Sequence, residues 1–137
     1  MSAERIVLPD VGCTLEPLVR TITQDTINRY ADASGDHNPL HVDPEFAAAT
    51  QFGGPIAHGM LLLAMLSEML TVAFGTSWVT SGRMKTRFRG AGRPGDTITC
   101  RGTVKSRVGE TVACSIECVN QDGDLLISGD ATLKIKQ

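Results

Sequence analysis

The sequence lacks the features of a nucleic-acid-binding, membrane or secreted protein. The formal charge is only -2 over 137 residues and the mean hydropathy is close to zero, so nothing attracts nucleic acid or an acidic membrane surface. The longest apolar run, Pro55 to Leu66, is interrupted by His58 and falls short of the roughly 20 residues of a membrane span. Residues 1–12 show no apolar run preceded by basic residues. We therefore expect no signal peptide and a cytoplasmic protein.

Cysteine and histidine are too sparse and too irregularly spaced for a metal site or a disulfide framework. The four cysteines contain no CxxC pair, and three of them fall on apolar faces, where small core residues are expected. These cysteines are Cys13, Cys100, Cys114 and Cys118. Two of the three histidines belong to one loop. We therefore expect no metal ion.

The chain length fits one domain, residues 1–137, large enough to bury a substantial core. Within it, Thr23 is suited to cap a helix from Gln24 to about Ala33, which ends where Gly35 can take a left-handed conformation. Asp43-Pro44 repeats the start signal, and it predicts a short second helix from Glu45 to Thr50.

A long apolar helix and several alternating segments make up most of the remaining chain. The helix is predicted from about Ile56 to Gly75 and is apolar nearly all the way round, so other elements must cover it. The predicted strands are Leu15 to Ile22, Trp78 to Arg89, Thr97 to Arg107, Thr111 to Asn120 and Leu125 to Ile135. We expect an α+β fold, with a curved antiparallel sheet wrapped around one long central helix. Its open edges predict oligomerisation.

One predicted strand carries a basic stripe on alternate positions. The stripe consists of Arg83, Lys85, Arg87 and Arg89. It could receive the phosphates of a carrier such as coenzyme A, or it could be an ordinary solvated outer face. The sequence favours the solvated face.

The stretch between the two short helices contains an acid and a base. Asp36 and His41 are separated by Asn38-Pro39, a pair that a regular helix or a central strand would not accept. Proline fixes its own φ and pushes Asn38 out of the α region, so this stretch is predicted to be a shaped loop. Such a loop can turn both side chains toward one water molecule as an acid–base site. Taken singly, Asp36 could equally be a helix-end residue and His41 a hydrogen-bonded surface histidine.

Two motifs together resemble a known family. The segment Tyr30 to Asp43, followed by Pro55 to Met60, resembles the signature of the MaoC-like hydratases, the (R)-specific enoyl-CoA hydratases of the hotdog fold. The resemblance is densest over Asp25 to Met69 and extends more loosely over nearly the whole chain. It implies a hotdog fold and a hydro-lyase of fatty acid metabolism.

The resemblance also implies residue roles. Asp36 and His41 would be the catalytic dyad, with Asp36 as the main activator of water, and the backbone N–H of Gly59 would hold the thioester oxygen. That N–H lies at the first turn of a helix, where the dipole favours the negative charge of an enolate. Further residues are expected to shape or line the substrate site without reacting. These are Asn38, His58 and Ser67.

The expected reaction is the reversible hydration of trans-2-enoyl-CoA to (R)-3-hydroxyacyl-CoA, with coenzyme A as part of the substrate and no separate cofactor. The expected assembly is a homodimer or an assembly of dimers, without nucleic acid or membrane partners. Two alternatives remain open. One is a (3R)-hydroxyacyl-[acyl carrier protein] dehydratase subunit, and the other is a non-catalytic acyl-binding subunit of a heteromeric hydratase.

Overall fold

A five-stranded antiparallel sheet forms one layer of the molecule. The computed structural model describes residues 9–135. The strands are β1 (Leu18–Thr21), β2 (Arg83–Phe88), β3 (Thr97–Val108), β4 (Thr111–Val119) and β5 (Leu125–Lys134). Their order across the sheet is β1-β3-β4-β5-β2. Consecutive strands β3, β4 and β5 pair as neighbours, whereas β1 and β2 form the two edges.

Within the described residues, five helices accompany the sheet. They are α1 (Gln24–Ser34), α2 (Pro39–Val42), α3 (Pro44–Ala48), α4 (Gly59–Phe74) and α5 (Thr76–Ser81). The predicted capping of α1 is confirmed at both ends. The Thr23 hydroxyl accepts a hydrogen bond from the backbone N–H of Thr26, and Gly35 closes the helix at a φ of 78° with its N–H bonded to Ala31 O.

Helix α4 lies across one face of the sheet, and the core forms between them. Its buried side chains are Leu62, Met65, Leu66, Met69 and Leu70. The inward-facing strand residues that meet them include Ile98, Ile116 and Ile127, each 2% exposed or less. Each fully buried leucine or isoleucine stabilises the fold by roughly 2 kcal/mol. The expected α+β hotdog architecture, a sheet wrapped around one long helix, is confirmed.

The three cysteines that the sequence assigned to apolar faces are buried, as predicted, and Cys13 is exposed. Burial raises the pKa of the Cys114 thiol to about 11. Cys100 and Cys118 stand directly opposite each other on β3 and β4, with their sulfurs 3.4 Å apart. The hydrogen-bond contact with Cys100 is the main cause that raises the pKa of Cys118, and burial is the second.

The predicted strand Trp78 to Arg89 is wrong in its first part, because α5 precedes β2. Residues 76–81 form a helix in which the hydroxyls of Thr80 and Ser81 bond to carbonyls four residues back. The period-two pattern is real only from Arg83 onward, where basic side chains alternate with half-buried ones. A Cβ at Gly82 would lie 2.3 Å from the Trp78 ring, so glycine there lets the chain turn against the indole.

Other bounds differ by smaller amounts. The first strand is shorter than predicted, although Thr14 makes an isolated bridge to Thr103 beside it. Helix α3 begins at Pro44 and ends before Thr50, and α4 begins at Gly59 instead of Ile56. Among residues 9–135, no helix combines the length and apolar character needed to cross a membrane.

Candidate active site

The stretch from Asp36 to His41 is more regular than the sequence suggested. The prediction of a loop without helix is wrong over residues 39–42, where α2 forms a single helical turn. Proline is tolerated at the first helical position because the N–H it lacks would have no partner there. Asn38 caps the turn, with its side-chain oxygen accepting the N–H of Leu40 at 3.0 Å. Asn38 therefore shapes the site through a cap, and its substrate-binding role stays a prediction.

Asp36 stands just beyond the end of α1, with its side chain exposed. One carboxylate oxygen accepts the backbone N–H of Asn38 at 3.2 Å, and the N–H of Asp36 donates to the Ser34 hydroxyl at 3.2 Å. These local bonds form a turn that limits how far the carboxylate can swing.

His41 is half-buried at the end of α2, and its ring orientation is fixed by the backbone. Its Nδ1 lies 2.7 Å from the carbonyl oxygen of Ile56. A carbonyl can only accept, so Nδ1 carries the hydrogen and Nε2 of the neutral ring keeps a free lone pair. The carbonyl of His41 is held in turn by the side-chain amide of Gln24 at 2.9 Å.

The contacts of His58 were not predicted from the sequence. His58 is only 2% exposed, and its Nε2 lies 2.9 Å from the backbone oxygen of Asp36. Its ring stacks on that of His41, with centroids 3.9 Å apart and planes 29° apart. It also contacts the Tyr30 ring, with a centroid separation of 4.8 Å. Its Nδ1 is buried without a hydrogen-bond partner among the described residues.

Gly59 begins α4 immediately after His58. The first N–H groups of a helix have no partner within the helix, so they can bind an anionic or polarised oxygen. Beside Gly59 lies a groove of about 540 Å³ with mostly apolar walls, formed by the start of α4, the segment 88–92 and Phe52. A Cβ on Gly59 would lie 2.5 Å from the Phe88 ring, so the helix start and this ring are in close contact.

The structure therefore brings Asp36, His41 and His58 together at the N-terminus of α4. One ligand-type atom from each of these three residues lies within 4.8 Å of the other two. The convergence of Asp36 and His41 is what the loop argument predicted. Their catalytic roles, and that of Gly59, stay predictions.

Ser67 lies elsewhere on α4. It is eight residues beyond Gly59, about 12 Å along the helix at 1.5 Å per residue. Its hydroxyl accepts a hydrogen bond from the indole N–H of Trp78 at 2.9 Å. Its expected contact with substrate stays a prediction.

The acid and the two imidazoles form the only group of three in residues 9–135 that could hold a metal ion. The ring geometry does not favour one. A metal about 2.1 Å from a nitrogen of each ring has to lie close to both ring planes. The two ring planes are only 29° apart and their centroids are separated by 3.9 Å, so the planes intersect farther from the ring nitrogens than a metal–nitrogen bond reaches. The arrangement suits proton transfer better than chelation of one ion by both rings.

Sequence reasoning missed Tyr30 and Phe88 as parts of this site. Tyr30 was visible as a member of the first motif, but only the fold shows its ring against His58. The contact of Phe88 with Gly59 has no local signal in the sequence, since Phe88 belongs to a strand far along the chain and reaches Gly59 only through the sheet topology.

Known proteins share this architecture. Residues 12–122 match the family described as MaoC like domain. The (R)-specific enoyl-CoA hydratase of Rhodospirillum rubrum is 32% identical over 120 residues, which cover 86% of this chain and 83% of that protein. The structure titled (R)-hydratase from A. caviae involved in PHA biosynthesis superposes with a TM-score of 0.81 at 28% identity, over 93% of this chain and 98% of that one.

A third relative is more similar over a shorter stretch. The 3-hydroxyacyl-thioester dehydratase Z of Mycobacterium tuberculosis (strain H37Rv) is 49% identical over 72 residues. That match covers 50% of this chain and 48% of the relative, so the chain aligns with about half the length of this curated protein. The fold and the site define a hotdog protein with an Asp–His pair at the start of its central helix. The chain belongs to the MaoC-like family.

Proposed function

We propose that the chain is a hydro-lyase that hydrates trans-2-enoyl-CoA to (R)-3-hydroxyacyl-CoA and catalyses the reverse dehydration. The observation that carries the proposal is the convergence of the Asp36 carboxylate and the His41 ring with His58, the residue that immediately precedes α4. The apolar groove beside Gly59 is large enough to accept an acyl thioester. The names of the relatives support the same chemistry.

The geometry suggests which proton-transfer role each member of the dyad has. With its Nδ1–H bonded to Ile56 O, neutral His41 accepts one hydrogen of a bound water at Nε2. The Asp36 carboxylate removes the other hydrogen as the water oxygen bonds to C3 of the substrate. The electron pair of the C2=C3 bond moves toward the thioester oxygen, and the protonated Asp36 then returns its proton to C2 on the same face. No electrons are exchanged with another molecule, so the proposed reaction uses no redox cofactor.

Gly59 stabilises the intermediate of this reaction. The enolate places negative charge on the thioester oxygen, which faces the N–H and the positive end of the α4 dipole. In other enzymes, one such donor lowers the barrier by about 3 kcal/mol. A general acid or base contributes roughly 100-fold to 10,000-fold in rate. Both contributions are required for efficient turnover.

The test is the loss of absorbance of crotonyl-CoA on adding the purified protein, with chiral analysis of the product. Wild-type protein should yield the (R)-alcohol, and Asp36→Asn should lower kcat by at least about 100-fold. Asp32→Asn is the matched control, because Asp32 is an exposed carboxylate four residues earlier that bonds to His37. It should leave the rate unchanged.

The same assay separates the alternatives. Absence of turnover with short, long and branched enoyl-CoA and with carrier-protein thioesters would contradict an autonomous hydratase. Faster turnover of a crotonyl thioester on acyl carrier protein than on coenzyme A would reassign the carrier while leaving the dyad in place.

We propose further that the protein acts as a homodimer or an assembly of dimers. Strands β1 and β2 form the edges of the sheet, and the apolar side chains Val72 and Val79 are 68% and 69% exposed. A second copy would cover such surfaces. Sedimentation or light scattering should give twice the chain mass or a multiple of that value, whereas a monomer at assay concentration would contradict this part. The cytoplasmic location stays a prediction.

A further inference from the structure

His58 contacts each of the three parts of the proposed site. Its Nε2 bonds to the backbone of Asp36, its ring lies on that of His41, and its carbonyl forms the peptide bond with the N–H of Gly59. The same carbonyl accepts the N–H of Leu61 at 3.0 Å and so begins α4. We infer that His58 is a positioning residue, which keeps the carboxylate, the imidazole and the helix N–H in register. The inference concerns the reaction proposed above and deepens it.

The hydrogen bond defines the tautomer of the His58 ring. The partner of Nε2 is a backbone carbonyl, which can only accept, so Nε2 carries the hydrogen. The other tautomer would lose this bond and would also place an N–H at the buried Nδ1, which has no partner among residues 9–135. The surroundings therefore fix the ring in the Nε2–H form, with its donor directed at Asp36.

This arrangement has a cost that a simple packing role does not explain. A buried polar nitrogen without a partner is unfavourable, and an apolar ring would fill the same space without that penalty. What an apolar ring lacks is the donor to the Asp36 carbonyl. Within residues 9–135, the other hydrogen bonds of Asp36 are local turn bonds, so the bond from His58 links Asp36 to the start of α4.

The stack on His41 supplies the second constraint. The His41 ring is held at its edge by Ile56 O and on its face by His58. These two contacts fix the direction in which the free Nε2 points. Loss of about 1 Å of alignment in an active site can lower a rate about 100-fold.

Two substitutions separate the donor from the ring. His58→Phe keeps an aromatic ring for the stack but removes the donor, whereas His58→Gln loses the ring but keeps an N–H that can reach the Asp36 carbonyl. With crotonyl-CoA, the phenylalanine variant should lose about 100-fold in kcat with KM within about threefold of wild type. The glutamine variant should recover at least about tenfold of that loss. His37→Phe is the matched control, because His37 directly follows Asp36 but its imidazole bonds to Asp32; this variant should retain full activity.

The result that would overturn the inference is equally specific. A phenylalanine variant with unchanged kcat, or one that changes KM alone, would show that His58 contacts substrate or only fills space. A glutamine variant no more active than the phenylalanine variant would show that the donor is not what matters. Melting temperatures of all variants identify any that fail to fold.

A measurement on the folded wild-type protein tests positioning without any turnover. Long-range ¹H–¹⁵N spectra of the histidine rings should show His58 protonated at Nε2 and His41 at Nδ1. A neutral His58 ring protonated at Nδ1 could not donate to the Asp36 carbonyl, and this result would contradict the inference. Amide exchange at Asn38 and Leu40 should be faster in His58→Phe than in His58→Gln. If wild-type protein turns over no thioester, the proposed function fails, while the tautomer and the exchange rates still decide whether His58 holds this segment.

Discussion

Replacing Gly59 with alanine tests whether the start of α4 is the place where the substrate oxygen binds. The added Cβ would lie 2.5 Å from one ring carbon of Phe88 and 2.9 Å from another. An ordinary contact begins at 3.4 Å, so the ring must retreat by about 0.9 Å at its nearest atom. Because Phe88 is 57% exposed, the ring has room to move toward solvent.

The expected effects on stability and on activity differ in size. Gly59 does not have a positive φ, so alanine is compatible with its backbone and should stabilise the fold by about 0.4 to 1 kcal/mol through the unfolded chain, which offsets the displacement of the ring. The free energy of unfolding should therefore change by less than about 1 kcal/mol. The methyl group and the displaced Phe88 ring, however, both border the groove beside Gly59, through which the thioester is proposed to reach the helix N–H. A displacement of this order should lower kcat/KM by roughly tenfold to 100-fold.

The assay combines crotonyl-CoA kinetics with urea denaturation. Gly54→Ala is the matched control, since a Cβ at Gly54 meets no atom within 4 Å. A second variant, Gly59→Ala with Phe88→Ala, removes the clash and distinguishes a displaced ring from a blocked N–H. If Gly59→Ala retains the wild-type kcat/KM, the substrate oxygen does not bind at this N–H and the proposed mechanism is wrong.

Three further predictions concern the surface and the buried thiols. Under native conditions an alkylating reagent should modify Cys13 alone, because the other three thiols are buried, and denaturation should expose all four to mass-spectrometric detection. The hydrogen bond from Arg20 lowers the pKa of Glu68 below its ordinary 4.5. Because this pair is half-exposed, Glu68→Gln should lower the free energy of unfolding by about 0.5 kcal/mol at neutral pH. Urea titrations should show this difference vanishing as the pH falls through the lowered pKa. The hydrogen bond that the His37 ring donates to the Asp32 carboxylate raises the pKa of His37 above 6.5. The stabilising charge of His37 is therefore present at acid pH and lost as the pH rises through the raised pKa, and an NMR titration should show that Asp32→Asn lowers this pKa.

The parts of the fold that the sequence predicted well are those with a local physical cause. The cap at Thr23 and the left-handed Gly35 define α1 through bonds within a few residues. The alternation in β3, β4 and β5 follows from one buried face, so strand identity was visible without knowledge of partners. The segment 76–81 failed for the opposite reason. It carries β-branched and aromatic residues, yet it forms a helix whose Trp78 indole bonds to Ser67 on α4, a tertiary contact that the local pattern does not encode.

The candidate site divides in the same way. Asp36, His41 and Gly59 could be named from the sequence because each carries chemistry that a motif preserves. His58 could also be named, but its hydrogen bond to the main-chain oxygen of Asp36 could not, since a main-chain carbonyl has no signature in the sequence. Only the fold shows which of the many available carbonyls a side chain meets.

Residues 56–58 explain why the site holds together despite its exposed acid. Ile56 accepts the His41 Nδ1–H, Ala57 donates its N–H to Gly92 O at 2.7 Å, and His58 donates to Asp36 O. Two of these three bonds involve backbone atoms of the segment, so they constrain the path of its backbone. Because the segment leads directly into α4, a shift of its backbone would move the His41 ring, the Asp36 turn and the helix N–H together. The geometry of the site is therefore set by the path of this short segment, and the buried imidazole is the one point at which a side-chain substitution can break the link to Asp36.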